Sequence, residues 1–416
     1  MTQETQLLDK IVNFYLESRD FNGFPIYSGH DPKEVAAAVR LIRKGLIEVI
    51  SDVDYMNPHI RPWKSTQDVD AQIVRLKQTA TDGRSGVCLY PTSPTLALRL
   101  QPTEFADRPY TRRLAEGGTT LQLAFFRTDV LEPYREDSRF EYDQHDFGFN
   151  FTIADELYGD DDEPEAEKVS LLHGGFAYDL SDIASGSIDR RVCVFLCDLT
   201  SFTPEIQRRW STFEVPADDV LRPHPVWWGS QMGHWPDGSG PFFRLFGELK
   251  ALNELHQRAF GEDLFGTVVH PKEFGWLLRP SQREFDRFVH DLDKLLSDNI
   301  RHKALTAAGV PMKDDKGRAM GTLQRLELLL ARSGVKEIDR KRMMKPLYDV
   351  RQARQKPAHD TTPNKTDRSL TLKQIELLSD ATTSLNTLRH FWQRHPDNKD
   401  HKLQTEYLDN EKLYRM

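Results

Sequence analysis

An arginine and a histidine lie five residues apart in the stretch VRQARQKPAHD, which begins at Val350. Arg354 continues the helical spacing of Leu347 and Val350, so its guanidinium follows an apolar stripe into a buried environment. A buried guanidinium needs a carboxylate, a groove shared with another element, or an anionic ligand. Pro357 disfavours helix at the residue before it, so the helix should end there and His359 should follow just beyond. The pattern predicts an anion-binding group and a titratable group presented together at a helix end, over a cleft.

Four helical segments should position this pair between residues 283 and 395. The segments are EFDRFVHDLDKLLSDNI, GTLQRLELLLARSG closed by Gly334, KEIDRKRMMKPLYDVRQAR, and TLKQIELLSDATTSLNTLRHFW. Pro346 should start a new helix or kink the third segment. Thr371 and Gln374 predict a capping box at the start of the fourth. Short connections between such helices predict an antiparallel four-helix bundle.

RQKPAH within this region resembles the R-x4-6-H motif of the HEPN (higher eukaryotes and prokaryotes nucleotide-binding) superfamily. Arg354 and His359 are the ends of the motif, and the bundle around them fits as well. The resemblance covers about 283–395 and does not extend to the first 280 residues. Many active members have Asn, Asp or His after the arginine, where this chain has Gln355.

The resemblance implies a metal-independent endoribonuclease without a cofactor, of a kind often found among toxins and antiviral-defence effectors. His359 would take the proton from a ribose 2′-hydroxyl as it attacks the adjacent phosphate. Arg354 would hold the phosphate oxygens and stabilise the developing charge. The expected products are a 2′,3′-cyclic phosphate and a 5′-hydroxyl. Pairing of two bundles into one composite site implies a homodimer.

Neighbouring side chains would assist the pair. Gln355 and Asp360 would support catalysis, and Arg351 and Lys356, with Lys365 further on, would hold RNA. A solvated helix end explains the same basic residues equally well. Superfamily members that do not catalyse serve as protein-interaction or assembly modules, so that function remains the alternative.

The N-terminal part predicts mixed helix and strand, so the fold class of the whole chain is α+β. Asp31 and Pro32 predict a helix start, and Gly45 predicts its end before the strand LIEVI. This ending resembles the last helix and first wing strand of winged-helix domains over about 45 residues, although a plain helix, glycine cap and strand explains it too.

The middle of the chain predicts strands. GVCLYP, TLALRL, TLQLAFFRTDVL and a run in which Phe147, Phe149, Phe151 and Ile153 alternate are typical of them. RRVCVFLCDL predicts a buried strand containing two of the three cysteines, and Thr203 with Pro204 begins a short helix. The stretch PADDVLRPHPVWWGSQMGHWPDGSG predicts an irregular connector, with a ligand pocket around its histidines and tryptophans as the alternative. Dense charges in DRPYTRR and REDSRFEYDQHD leave an active site in this domain open, although no nucleophile-and-base spacing accompanies them.

Composition limits the partners. The net charge is −8 with 29% charged residues, so RNA must be bound by a local basic patch. Three cysteines without ligand spacing indicate a reducing compartment and no metal site. The absence of a signal peptide or an apolar run of membrane-spanning length favours the cytoplasm, with no membrane partner.

We therefore expect four regions along the chain. These are a small helical, winged-helix-like segment at 1–55, an α+β sensing or regulatory domain at 56–280, the HEPN-like bundle at 283–395 and a polar tail at 396–416. The N-terminal region would restrain the nuclease until it meets a trigger or partner protein.

Overall fold

The computed structural model describes residues 2–18, 21–82, 86–101, 103–153, 169–181, 188–234, 240–355 and 363–409. The described chain is α+β, as the sequence predicts. Its helices are α1 Gln3–Glu17, α2 Pro32–Arg43, α3 Val69–Asp82, α4 Ser93–Ala97, α5 Pro109–Ala115, α6 Glu132–Glu136, α7 Leu196–Thr200, α8 Pro204–Ser211, α9 Pro225–Gln231, α10 Pro241–Phe260, α11 Gln282–Asp293, α12 His302–Ala307, α13 Thr322–Arg332, α14 Glu337–Gln355, α15 Ser369–Gln393 and α16 Glu406–Asp409. A π-helical segment, Lys294–Asp298, follows α11, and 3-10 turns occupy Thr128–Leu131 and Pro396–Asn398.

The strands are short. They are β1 Phe24–Ile26, β2 Ile47–Ser51, β3 Val87–Pro91, β4 Leu123–Arg127, β5 Phe140–Gln144, β6 Gly148–Ile153, β7 Ser170–Asp179, β8 Arg190–Phe195, β9 Glu214–Val215 and β10 Leu221–Pro223. The chain forms two compact units, each built from three sequence segments. The first contains 1–127, 158–174 and 193–217, and the second contains 128–157, 175–192 and 218–416. The expected domain limits at 55, 280 and 395 remain predictions.

The first unit begins with a three-stranded antiparallel sheet in the order β1-β3-β2, covered by α1, α2 and α3. The predicted helix and strand around Gly45 are confirmed. Asp31 caps α2 by accepting from the backbone N–H of Lys33, and Gly45 has φ of +68° before β2. Helix α3 lies between β2 and β3 in the sequence, so these two strands do not form a hairpin.

The remaining elements of this unit include β4, β9 and the second half of β8, in the strand order β8-β4-β9. Two predictions here are wrong. TLALRL contributes to the short helix α4, because Pro94 in its first turn favours a helix start over the strand that the apolar alternation indicates. Cys197 lies in α7, because strand β8 ends at Phe195 and the chain enters a helix at Leu196. Cys193 is buried in the strand, as expected.

The second unit contains β5, β6 and the second half of β7, in the strand order β5-β6-β7, with β10 paired to β7. The alternation in β6 is confirmed, since Phe149, Phe151 and Ile153 are buried. The predicted irregular connector is partly wrong, because it contains β10 and α9. His224 caps α9 by accepting from the N–H of Val226, which gives this histidine a structural role.

Helices α10 to α16 complete the second unit. Helix α15 packs along α10 and α14, and α14 also packs against α11 and α13. Pro346 lies inside the single helix α14 and does not start a new one. The predicted capping box is wrong, because α15 begins at Ser369 and Gln374 is buried within it. The Gln374 side chain bonds the backbone of Leu277 and Gly275 instead.

Candidate functional site

Arg354 lies in the last turn of α14 and contacts two carboxylates. Its Nη1 donates to Asp293 Oδ2 at 2.6 Å and to Asp298 Oδ2 at 2.9 Å. Nη1 of Arg351, one turn earlier, is 3.9 Å from Asp298 Oδ1. The sequence predicts a carboxylate, a shared groove or an anionic ligand as the partner of Arg354, and the structure shows two carboxylates.

The π-helical segment explains why both carboxylates reach the same guanidinium. Asp293 and Asp298 are five residues apart, and in an α-helix such residues point about 140° away from each other. A turn with i→i+5 hydrogen bonding brings them to the same side. Helix α11 changes to this geometry directly after Asp293, so the segment places both side chains toward α14.

A buried polar network fixes the segment. The side chain of Asp293 is 1% exposed and also contacts the hydroxyl of Ser297. The backbone carbonyl of Ser297 accepts the hydroxyl of Thr322, at the start of α13, at 2.8 Å. Sequence reasoning missed these three residues. The available signal was Asp293 and Asp298 in DLDKLLSD, whose five-residue spacing does not place them on one face of an α-helix.

The electrostatics of the cluster favour a permanently charged Arg354. The hydrogen bonds that the guanidinium donates to Asp293 and Asp298 raise its pKa. The side chain is 31% exposed, and both bonds come from Nη1. Among the described residues no partner is seen for Nε or Nη2, which leaves these donors for an anion. The two aspartates balance Arg351 and Arg354, so the local charge is close to zero.

The structure describes only some of the other residues that the sequence predicts for this site. Gln355 is exposed and is the last residue of α14. Lys356, His359 and Asp360 lie outside the described residues. Lys365 is not beside Arg354, because its carbonyl accepts from Gln282 at the opposite end of α11, about 16 Å along the helix from Asp293.

Within the described ranges, no group of three or more His, Cys, Asp or Glu side chains is arranged to hold a metal ion. In that same part of the chain, no helix has both the length and the apolar character needed to cross a membrane.

Comparison with known proteins gives no relative: no family model, no curated protein and no solved structure matches the chain.

Proposed function

We propose that the protein is a metal-independent endoribonuclease whose site is centred on Arg354 and His359. The observation that carries this proposal is the fixed position of Arg354. It occupies the arginine position of the R-x4-H motif, at the end of α14. The carboxylates of Asp293, at the end of α11, and Asp298, in the π-helical segment, hold its charged side chain. A guanidinium held in this way is ready to bind a phosphate, because its planar form matches two oxygens at once.

In this function each side chain has one role. His359 is the general base for the 2′-hydroxyl, and Arg354 stabilises the charge on the phosphate. Gln355 and Asp360 assist them, and Arg351 and Lys356 bind the RNA strand. Two copies of a C-terminal four-helix bundle pair to form the composite site. The protein acts in the cytoplasm as a toxin or antiviral-defence effector, and its N-terminal region restrains the nuclease until a trigger arrives.

A second candidate function is a non-catalytic interaction or assembly module. The observation that favours it is the same pair of carboxylates. Asp293 and Asp298 neutralise Arg354 within the chain, as they would if the arginine only joined α14 to α11.

The deciding experiment is cleavage of a fluorescent RNA and of bulk tRNA by the full chain in EDTA. We expect the restrained wild type to cut both at a measurable basal rate, and His359→Ala to lose about 10²–10⁴-fold of that rate, the contribution typical of acid–base catalysis. Arg354→Ala should lose activity as well. His290→Ala and Arg318→Ala are the matched controls, since Arg318 is an exposed arginine paired with Asp314. Mass spectrometry of the products should show 2′,3′-cyclic phosphates.

Equal cleavage by wild type and His359→Ala would exclude this site as the nuclease. The full chain is the proper sample, because a fragment of residues 283–395 would lack α10 and α16. Helix α10 packs along α15, so its removal would uncover the apolar face of that helix.

A further inference from the structure

The second compact unit contains a cavity of about 280 Å³ on one side of α10. Its volume is close to the lower end of the range of about 300–1,000 Å³ found for small-molecule sites. The walls are mainly aromatic. The cavity is lined by Phe242, Phe243, Phe246 and Tyr407, together with Val268 and four polar side chains, His145, Asp146, Lys250 and His270.

His270 contributes an unpaired ring nitrogen. Among the described residues its Nε2 is buried without a hydrogen-bond partner, which is costly unless a ligand or water supplies one. Burial lowers the pKa of His270, although the nearby carboxylate of Asp143 opposes this shift. At neutral pH the ring is therefore uncharged and has one acceptor nitrogen, a role that Nε2 can take.

Asp146 adds further acceptor capacity. Its carboxylate accepts from the backbone N–H of Phe242 at 2.7 Å and of Phe243 at 3.0 Å, at the first turn of α10. Gly240 permits this approach, because a Cβ there would lie 2.0 Å from the Asp146 carboxyl carbon. Each carboxylate oxygen has two lone pairs, so both can still accept from a ligand.

The aromatic side chains indicate the shape of ligand that the cavity can bind. The rings of Phe242 and Phe246 lie 5.8 Å and 4.8 Å from the His270 ring. Phe243 and Tyr407, whose ring centroids are 5.3 Å apart, are 58% and 39% exposed. Large apolar rings exposed beside a cavity suit stacking on a flat ligand.

We propose that this cavity binds a planar heteroaromatic ligand with an amino group on its edge, of the chemical class of adenine and cytosine. The amino group would donate to His270 Nε2 and to the Asp146 carboxylate, while the ring lies among the phenylalanines. Lys250 follows Phe246 by four residues on α10, on the same helix face, where it can bind a phosphate attached to the ligand. This binding does not require RNA cleavage by Arg354 and His359.

Calorimetric titration of the full chain at pH 7.5 with AMP, CMP, IMP and UMP tests the assignment. IMP and UMP have a carbonyl in place of the amino group. A carbonyl oxygen cannot donate a hydrogen bond to His270 Nε2 or to the Asp146 carboxylate. We expect AMP to bind at least about tenfold more tightly than IMP, and CMP than UMP. His270→Phe should remove this preference, and His290→Phe should keep it. Oligoadenylate and oligouridylate, titrated in parallel, show whether the base is read in a free nucleotide or in a strand.

Val268→Phe, which narrows the cavity without removing a polar group, covers the case in which His270→Phe fails to fold. It should weaken AMP binding about tenfold or more. The assignment is overturned if no nucleotide or oligonucleotide binds, if CMP and UMP bind alike, or if His270→Phe retains the preference. His359→Ala should bind AMP with the affinity of the wild type. RNA cleavage therefore tests the proposed nuclease, and AMP binding tests the cavity separately.

Discussion

Arg354 is held by two carboxylates that differ in their access to solvent. The Asp293 side chain is 1% exposed and that of Asp298 is 49% exposed. Buried charges depend on their partners far more than exposed charges do, because water can replace the partner of an exposed charge. The two contacts therefore have similar geometry and different energetic weight.

Replacing these aspartates should separate the two contacts. Removing one partner from a buried pair costs about 3–5 kcal/mol, and the partial exposure of Arg354 reduces this, so Asp293→Asn should lower the free energy of unfolding by about 1–2 kcal/mol. Asp298→Asn should change it by no more than about 0.5 kcal/mol. Urea denaturation of both variants, alone and combined with Arg354→Met, measures the two coupling energies. Equal coupling energies of Asp293 and Asp298 with Arg354 would contradict the difference in energetic weight expected from their burial.

Asp146 gives the protein a defined pH dependence. Burial raises the pKa of its carboxyl group to about 6, against the effect of the two N–H groups that it accepts. Because the folded value lies above the unfolded one, this group stabilises most at pH below about 4, and its contribution falls as the pH rises through about 6. The full difference is on the order of 3 kcal/mol.

Asp146→Asn removes this titration. Relative to wild type, the variant should gain up to about 3 kcal/mol in unfolding free energy between pH 4 and pH 7.5, although it loses a hydrogen bond at every pH. Urea denaturation at both pH values measures the change. A difference between the two proteins that does not vary with pH would show that Asp146 titrates normally.

At the scale of elements, the π-helical segment is the feature on which the candidate site depends. Thr322 donates to the carbonyl of Ser297 within it, and this hydroxyl joins the start of α13 to the segment. A buried carbonyl left without its donor costs about 1–3 kcal/mol.

Thr322→Val should therefore destabilise the protein by about 1–2 kcal/mol. Thr383→Val is the matched control, because the Thr383 hydroxyl is exposed and donates within its own helix, to Ser379. Thermal unfolding followed by circular dichroism compares the two variants. If both shift the midpoint equally, the network does not depend on the Thr322 hydroxyl.

Elements with one clear periodicity could be predicted from the sequence. Helix α2 and the alternating strand β6 follow directly from apolar spacing and cap residues. The sequence predicts Gln374 in a cap, whereas the structure places it inside α15, where its amide bonds the backbone of Gly275 and Leu277. The sequence signal for the π turn is the five-residue spacing of Asp293 and Asp298, which helical periodicity alone does not turn into a prediction of this geometry. The arginine's need for a partner could be predicted, and the identity of that partner could not.

At the scale of the molecule, a buried ion pair joins helices that are distant in sequence. Arg389 on α15 is fully buried, and its Nε donates to Glu248 Oε2 on α10 at 2.8 Å. Asp409 on α16 contacts the same guanidinium, beside the fully buried Leu408. The described part of the polar tail is thus docked.

Glu248→Gln should lower the free energy of unfolding by about 2–4 kcal/mol, because Arg389 would keep only its half-exposed partner. Glu254→Gln, an exposed glutamate on the same helix, should change it by no more than about 0.5 kcal/mol. Chemical denaturation of both variants measures the difference. A mild effect of Glu248→Gln would show that solvent reaches Arg389.

The interleaving of the two units bears on how the chain is made. The last segment of the first unit ends at Ala217, whereas the second unit needs α16, which ends at Asp409. Synthesis at about 5–20 residues per second would separate these two points by roughly 10–40 seconds. During that interval strands β5 and β6 have left the ribosome before the helices of their unit exist. The apolar side chains that these strands bury in the folded protein would therefore be uncovered for that time, and a pause in translation after Ala217 would prolong it.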